Sequence, residues 1–147
     1  MTIEGWRTQQ SIWLMRIGMT LFLLALVVGL MVPTFAVPRL GLSVHLLGLM
    51  QGIFLTVMGL VWPRLHLARA WSRAGSWLIV YGCVAAWTSN LLAATAGGSS
   101  LLPIASGQAR SSALYDGIIT LGLRSSAVAL VAATVLILWG LWSGKAE

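Results

Sequence analysis

The sequence predicts an all-α integral membrane protein, a single domain of 147 residues folded as a four-transmembrane-helix bundle with both termini on the cytoplasmic side. Three observations predict it. Hydrophobic residues make up 59% of the chain and charged residues 8%, where soluble domains carry about 25% charged residues. Such a chain lacks the polar surface to face water all round. Four apolar runs are each long enough to cross a bilayer, which takes about 20 residues. Most of the nine Lys and Arg flank those runs. That placement explains the net charge of +6 better than nucleic-acid binding does, so no nucleic-acid partner is expected. Cys83 is the single cysteine and lies in an apolar run, which excludes an intrachain disulfide or a cysteine cluster.

The first helix is expected at about residues 12–37. Its apolar core is longer than that of a secretory signal and three more spans follow, so it is read as an uncleaved helix. The second, about 40–62, is bracketed by Pro38-Arg39 and Pro63-Arg64. The third covers about 75–96. The fourth covers about 117–142 and contains one charge, Arg124. The connection from 97 to 116 is rich in Gly, Ser and Ala, but its Leu-Leu-Pro-Ile stretch is too apolar for a solvated linker. A short lid or re-entrant piece is expected there. No internal repeat is evident.

Orientation follows from the basic residues. Arg7, Arg16, Arg64, Arg69, Arg73 and Lys145 gather on one side, against Arg39 and Arg110, with Arg124 near the start of helix four, on the other. The positive-inside rule makes the first side cytoplasmic, most simply in a bacterial inner membrane. Trp6, Trp13, Trp62, Trp71, Trp77, Trp139 and Trp142 sit near that same side as an aromatic belt.

Polar side chains within the spans are few: His45, Gln51, Tyr81, Thr88, Ser89, Asn90 and Arg124. At membrane depth each is costly unless paired, so each is a functional candidate. His45 lies about five residues, roughly 7–8 Å, inside helix two. It shares a face with Gly41, Gly48, Gly52, Thr56 and Gly59, at spacings of three and four. Three readings stay open: a glycine seam for helix packing with His45 bonded to a neighbouring carbonyl, a metal or haem ligand beside flat open space, and a proton relay. No Asp, Glu or Cys accompanies His45, so a zinc site cannot be assembled within one chain. His66, the only other histidine, lies 21 residues on, about 30 Å along a helix. The two cannot clamp one haem, and a haem here would keep an open sixth position.

Gln51 lies near mid-membrane, and Thr88, Ser89 and Asn90 fall at roughly the depth of His45. Together they could line one cavity. Taken singly, each serves equally as an interhelical hydrogen bond. For Arg124 two partners stand open, Asp116 and a cofactor propionate.

An ordered set of motifs carries a family resemblance. It runs through Val32-Pro33, Pro38-Arg39-Leu40-Gly41-Leu42-Ser43-Val44-His45-Leu46-Leu47-Gly48 and Gln51-Gly52-Ile53-Phe54-Leu55. It continues through Gly59-Leu60-Val61-Trp62-Pro63-Arg64-Leu65, Tyr81-Gly82, Trp87 and Leu102-Pro103-Ile104-Ala105. On these residues the chain resembles the hydroxylaminobenzene mutase family, which is similar to styrene oxide isomerase, a four-helix membrane enzyme that binds haem b as a trimer. In that relative a helix-two histidine holds the iron, in a His-x5-Asn-Gly arrangement. By position the resemblance makes His45 the iron ligand, and Gly52 matches the glycine. Gln51 replaces the usual Asn and moves the amide outward by one methylene, about 1.5 Å.

The resemblance implies a redox-neutral rearrangement of a small aromatic substrate, hydroxylaminobenzene to 2-aminophenol, with ferric haem b as a Lewis acid. Gly41, Gly48 and Gly52 would flank the cofactor, and Arg124 would meet it. Gln51, with Asn90 or Ser89 and with Tyr81 or Gly82, would orient the substrate. A homotrimer with haem near the subunit interfaces is implied as well. The alternatives are an epoxide-to-aldehyde isomerase, a non-catalytic haem-binding subunit and a small multidrug transporter. Helices one to three carry no carboxylate for proton coupling, which disfavours the transporter.

Overall fold

In lipid the backbone has no water to bond, so an apolar run must satisfy its own N–H and C=O groups, and the helix does this within one segment. The computed structural model describes residues 3–107 and 110–144, and among these no strand occurs. Four long helices, α1 (Ile3–Met31), α2 (Pro38–Val61), α3 (Arg69–Ala96) and α5 (Ala113–Trp142), are joined by turns and by a one-turn helix α4 (Pro103–Ser106). All four long helices are long and apolar enough to cross a membrane.

Their ends differ from the apolar runs. α1 begins at Ile3 and α3 at Arg69, because helix propagation adds one hydrogen bond per residue and continues through polar flanks. Arg7 therefore lies within α1, as Arg16 does. The expected tail of the first span is not α-helix: Pro33 turns residues Val32–Thr34 into a 3-10 segment. Pro38 opens α2, where its missing N–H costs nothing. Lys145, counted above among the basic residues, lies outside the described residues.

The helices pack chiefly as two antiparallel pairs, α1 on α2 and α3 on α5, joined where α2 meets α3. Small residues make the first pair close. A Cβ on Gly52 would lie 2.8 Å from the Gly18 carbonyl oxygen, and one on Gly18 would lie 2.7 Å from the Gly52 carbonyl oxygen. Further along, the Ser11 hydroxyl donates to the Gly59 carbonyl at 2.7 Å. Gly48 is filled by Ala25 and by the Trp87 indole, and Gly41 by the Phe35 ring. In membranes such small-residue seams stand in for the missing hydrophobic drive between helices. Gly52→Val is expected to destabilise the fold by about 1–3 kcal/mol, since backbone on α1 must move. A lowered thermal midpoint in detergent would report it, and an unchanged midpoint would contradict the seam.

In the second pair Gly82 faces Leu130 and the Ser126 carbonyl, and Gly122 faces Ser89. At the arginine-rich end the buried Trp62 indole donates to Gln10 Oε1 at 3.2 Å and Ser72 Oγ at 3.1 Å. Trp13 packs against Trp77 at 4.9 Å between ring centres, and Trp71 meets Trp139 edge-on at 6.3 Å. The His66 N–H donates to the Gly140 carbonyl at 2.9 Å, tying the α2–α3 turn to α5.

At the other end Gly97 caps α3 with φ +95°, a left-handed conformation that glycine adopts without strain. The expected lid is a loop with the single turn α4, and it is held by Asp116. That carboxylate accepts from Ser99 Oγ at 2.7 Å, Ser100 N–H at 2.8 Å and Ser100 Oγ at 2.6 Å. α4 rests on α2, while Ile104 is left 86% exposed.

Candidate functional site

His45 sits on α2 facing α1. Its Nδ1 is 2.8 Å from the Ala25 carbonyl oxygen. A carbonyl only accepts, so Nδ1 is the donor of this contact and Nε2 is the ring nitrogen left for another partner. The ring lies over Gly29, where a Cβ would come within 2.6 Å of Nδ1 and 2.7 Å of Cε1. Nε2 has no partner among the described residues, and it is not closed off inside the chain. A cradled imidazole, bonded at one nitrogen to a carbonyl and free at the other, is the arrangement of a metal-ligating histidine. The same bond also meets the packing reading, in which His45 answers a neighbouring carbonyl. Among the described residues no cluster of three His, Cys, Asp or Glu side chains could hold a metal ion by itself.

The glycine face beside His45 is filled within the chain, Gly41 by Phe35, Gly48 by Ala25 and Trp87, and Gly52 by Gly18 and Phe22. Any cofactor would therefore approach along Nε2 rather than over the stripe.

Gln51 is buried, 8% exposed, and its Oε1 has no hydrogen-bond partner. It shares its helix face with Val44 and Leu55, both fully buried, the face that meets α3. There the Trp87 indole donates to the Val44 carbonyl at 3.2 Å and sets the two helices level. An unpaired buried acceptor costs about 1–3 kcal/mol, so Gln51 is held at a penalty in this chain.

The Trp87–Val44 bond also settles the phase of α3. Asn90 is one turn from Trp87 on the side toward α2. Its Nδ2 donates to the Ala86 carbonyl at 2.9 Å, which leaves Oδ1 available. Ser89 turns instead to α5 and packs on Gly122. Tyr81 lies on the exposed side, its hydroxyl 2.8 Å from Ser125 Oγ. Thr88 is exposed and bonds back to Val84 and Ala85 of its own helix. Along the bundle Asn90 and Gln51 are about 15 Å apart at 1.5 Å per residue, with His45 between them. No single small group bonds both. Arg124 is exposed on α5, and no ion pair joins it to Asp116 among the described residues, because Asp116 is committed to Ser99 and Ser100.

The structure thus gathers His45, Gln51 and Asn90 around α2, and separates Ser89, Tyr81 and Arg124 onto the α5 side. It adds Gly29 and the Ala25 carbonyl, which sequence reasoning passed over. Their only signal was the run of small residues Gly18, Ala25 and Gly29 on one face of α1.

Comparison with known proteins bears on this arrangement. The family model described as styrene oxide isomerase matches residues 10–142. Hydroxylaminobenzene mutase HabB of Ectopseudomonas oleovorans is 40% identical over 135 residues, covering 91% of this chain and 82% of that protein. Hydroxylaminobenzene mutase HabA of the same organism is 44% identical over 125 residues, covering 84% and 93%. No solved structure gives a significant match.

Proposed function

This chain belongs to the styrene oxide isomerase family, as an isomerase or mutase of the membrane, and on that premise we propose that it is haem-dependent and rearranges an aryl hydroxylamine to an aminophenol. Substrate and product are isomers, so the conversion consumes no reductant or oxidant. The observation that carries the reading is the His45 Nδ1 contact with the Ala25 carbonyl at 2.8 Å, which commits Nδ1 as the donor and leaves Nε2 without a partner among the described residues. These residues fit haem b with one protein ligand. Bound there, ferric haem would supply an electrophilic iron, a Lewis acid for the substrate oxygen.

The chain's own residues supply the rest. His45 would hold the iron, and the Ala25 carbonyl, accepting from Nδ1, fixes the orientation of its ring. Gln51 offers its unpaired Oε1 to an N–H or O–H of the substrate. Asn90 Oδ1 provides a second acceptor toward the α4 end. The apolar surroundings of the bilayer and of a covering subunit would exclude water and strengthen each polar contact. Because Nε2 opens outward from the chain, a neighbouring copy would cover the cofactor, in keeping with a homotrimer in which Arg124 comes from another subunit. By the positive-inside rule the same reading puts the arginine-rich end on the cytoplasmic side of a bacterial inner membrane.

Haem-replete protein purified in detergent and supplied with hydroxylaminobenzene under anaerobic conditions is the direct test. The expected outcome is stoichiometric 2-aminophenol beside a Soret band. Faster conversion of styrene oxide to its aldehyde would shift the substrate to epoxides. Turnover without a Soret band would overturn the haem assignment.

Gly29→Ala probes the cradle. The added methyl collides with the imidazole, so the variant should retain haem about 10–100-fold more weakly, as expected for loss of an outer-shell contact. Haem titration of the apoprotein would measure it. Wild-type affinity would show that the cradle does not set the ligand.

A further inference from the structure

Far from His45, at the arginine-rich end, α1 and α3 flank an open pocket of about 340 Å³ lined by Trp6, Gln9, Gln10, Trp13, Arg69, Arg73, Ser76 and Trp77. That volume lies within the range of ligand-binding pockets. From its charge, walls and floor we propose that it is a site for the phosphate group of an anionic phospholipid.

The charge is the first argument. Arg69 and Arg73 stand one helical turn apart on α3 and repel each other. The chain has three acidic residues, Glu4, Asp116 and Glu147. Asp116 is at the opposite end, bonded to Ser99 and Ser100, and no described side chain pairs with either guanidinium. A bound phosphate relieves this repulsion and accepts from both forks. The start of α3 lacks a side-chain cap and adds positive field in the same direction.

The walls are the second argument. Trp13 and Trp77 pack at 4.9 Å, and Trp77 is 57% exposed. Indoles at a membrane boundary sit at headgroup level, with polar edges outward and rings against acyl chains. They suit an amphiphile rather than a fully hydrated anion.

The floor is the third. Gln10 Oε1 accepts from Trp62 and Ser72, and its Nε2 donates to Ser76 at 3.3 Å. An indole N–H only donates, so this network sets the amide orientation. The floor is rigid before any ligand arrives.

The test uses haem-loaded, delipidated protein with phosphatidylglycerol, phosphatidylcholine or inorganic phosphate, read by native mass spectrometry. One phosphatidylglycerol per chain should be retained in preference to phosphatidylcholine, and inorganic phosphate should not displace it. The double variant Arg69→Gln/Arg73→Gln should bind about 30-fold more weakly, the effect of two basic residues near a membrane surface. Arg64→Gln, at the same end but outside the cavity, should bind as the wild type does. Equal retention of both lipids by the wild type overturns the proposal whatever the variants do. So does displacement by inorganic phosphate, or equal weakening in Arg64→Gln.

Discussion

His45→Ala is expected to yield a folded protein without a Soret band and without measurable turnover. The loss should be on the order of 10³-fold or more, since both the ligand and the electrophile go together. The fold should survive, because the α1–α2 contact rests on Gly18, Gly52 and the Ser11–Gly59 hydrogen bond, none of which touches His45. Losing the Ala25 contact and the packed ring should cost about 1–3 kcal/mol. The space left over Gly29 has the shape of the missing ring. Free imidazole should therefore restore part of the absorption band, a rescue that damage elsewhere would not permit. Visible spectra beside product assays decide the matter. A variant that keeps the wild-type band would remove His45 from the cofactor and return it to helix packing.

Gln51→Leu should separate stability from activity. Its Oε1 is buried without a partner, so leucine, of similar volume, should stabilise the chain by about 1–2 kcal/mol. Turnover should fall about 10²-fold if the amide acts on charge that develops during the rearrangement. The fall should appear in kcat rather than KM, because an interaction made only in the transition state lowers the first and spares the second. A more stable protein with unchanged kcat would show that Gln51 does not touch the substrate. Gln51→Asn keeps an amide but withdraws it by about 1.5 Å, and its effect on the preference between hydroxylamines and epoxides would show how far the reach of the side chain selects the substrate.

The four spans were legible because apolar length is a property of the chain alone. Helix ends were less so, since hydropathy marks where a helix enters lipid and not where its hydrogen bonds stop. Arg69 and Arg73 are fully helical for that reason. The glycine stripe around His45 was visible, but one pattern fits both an open face and a packed seam. Only the register of α1 against α2 shows that Gly18, Ala25 and Phe22 fill it. Gly29 was invisible for the same cause, as nothing in the sequence places it opposite a residue sixteen positions later. Ser89 and Asn90 differ by 100° of helix rotation. Spacing could not choose between them until the Trp87–Val44 bond supplied a reference angle. Arg124 and Asp116 looked like neighbours on one helix, yet Asp116 is taken by serines from the preceding loop.

The contacts that define the state of the imidazole belong wholly to α1 and α2. Gly29 shapes the seat, the Ala25 carbonyl anchors Nδ1, and both are synthesised before His45 itself. Chains fold from the N-terminus as they are made, and membrane helices associate once inserted. The orientation of the ring is therefore set in the first helical hairpin, while α3 and α5 are still to come. Biogenesis divides along the same line: the first half of the polypeptide seats the imidazole, and the second half, through the Trp87 indole, packs against α2 beside it.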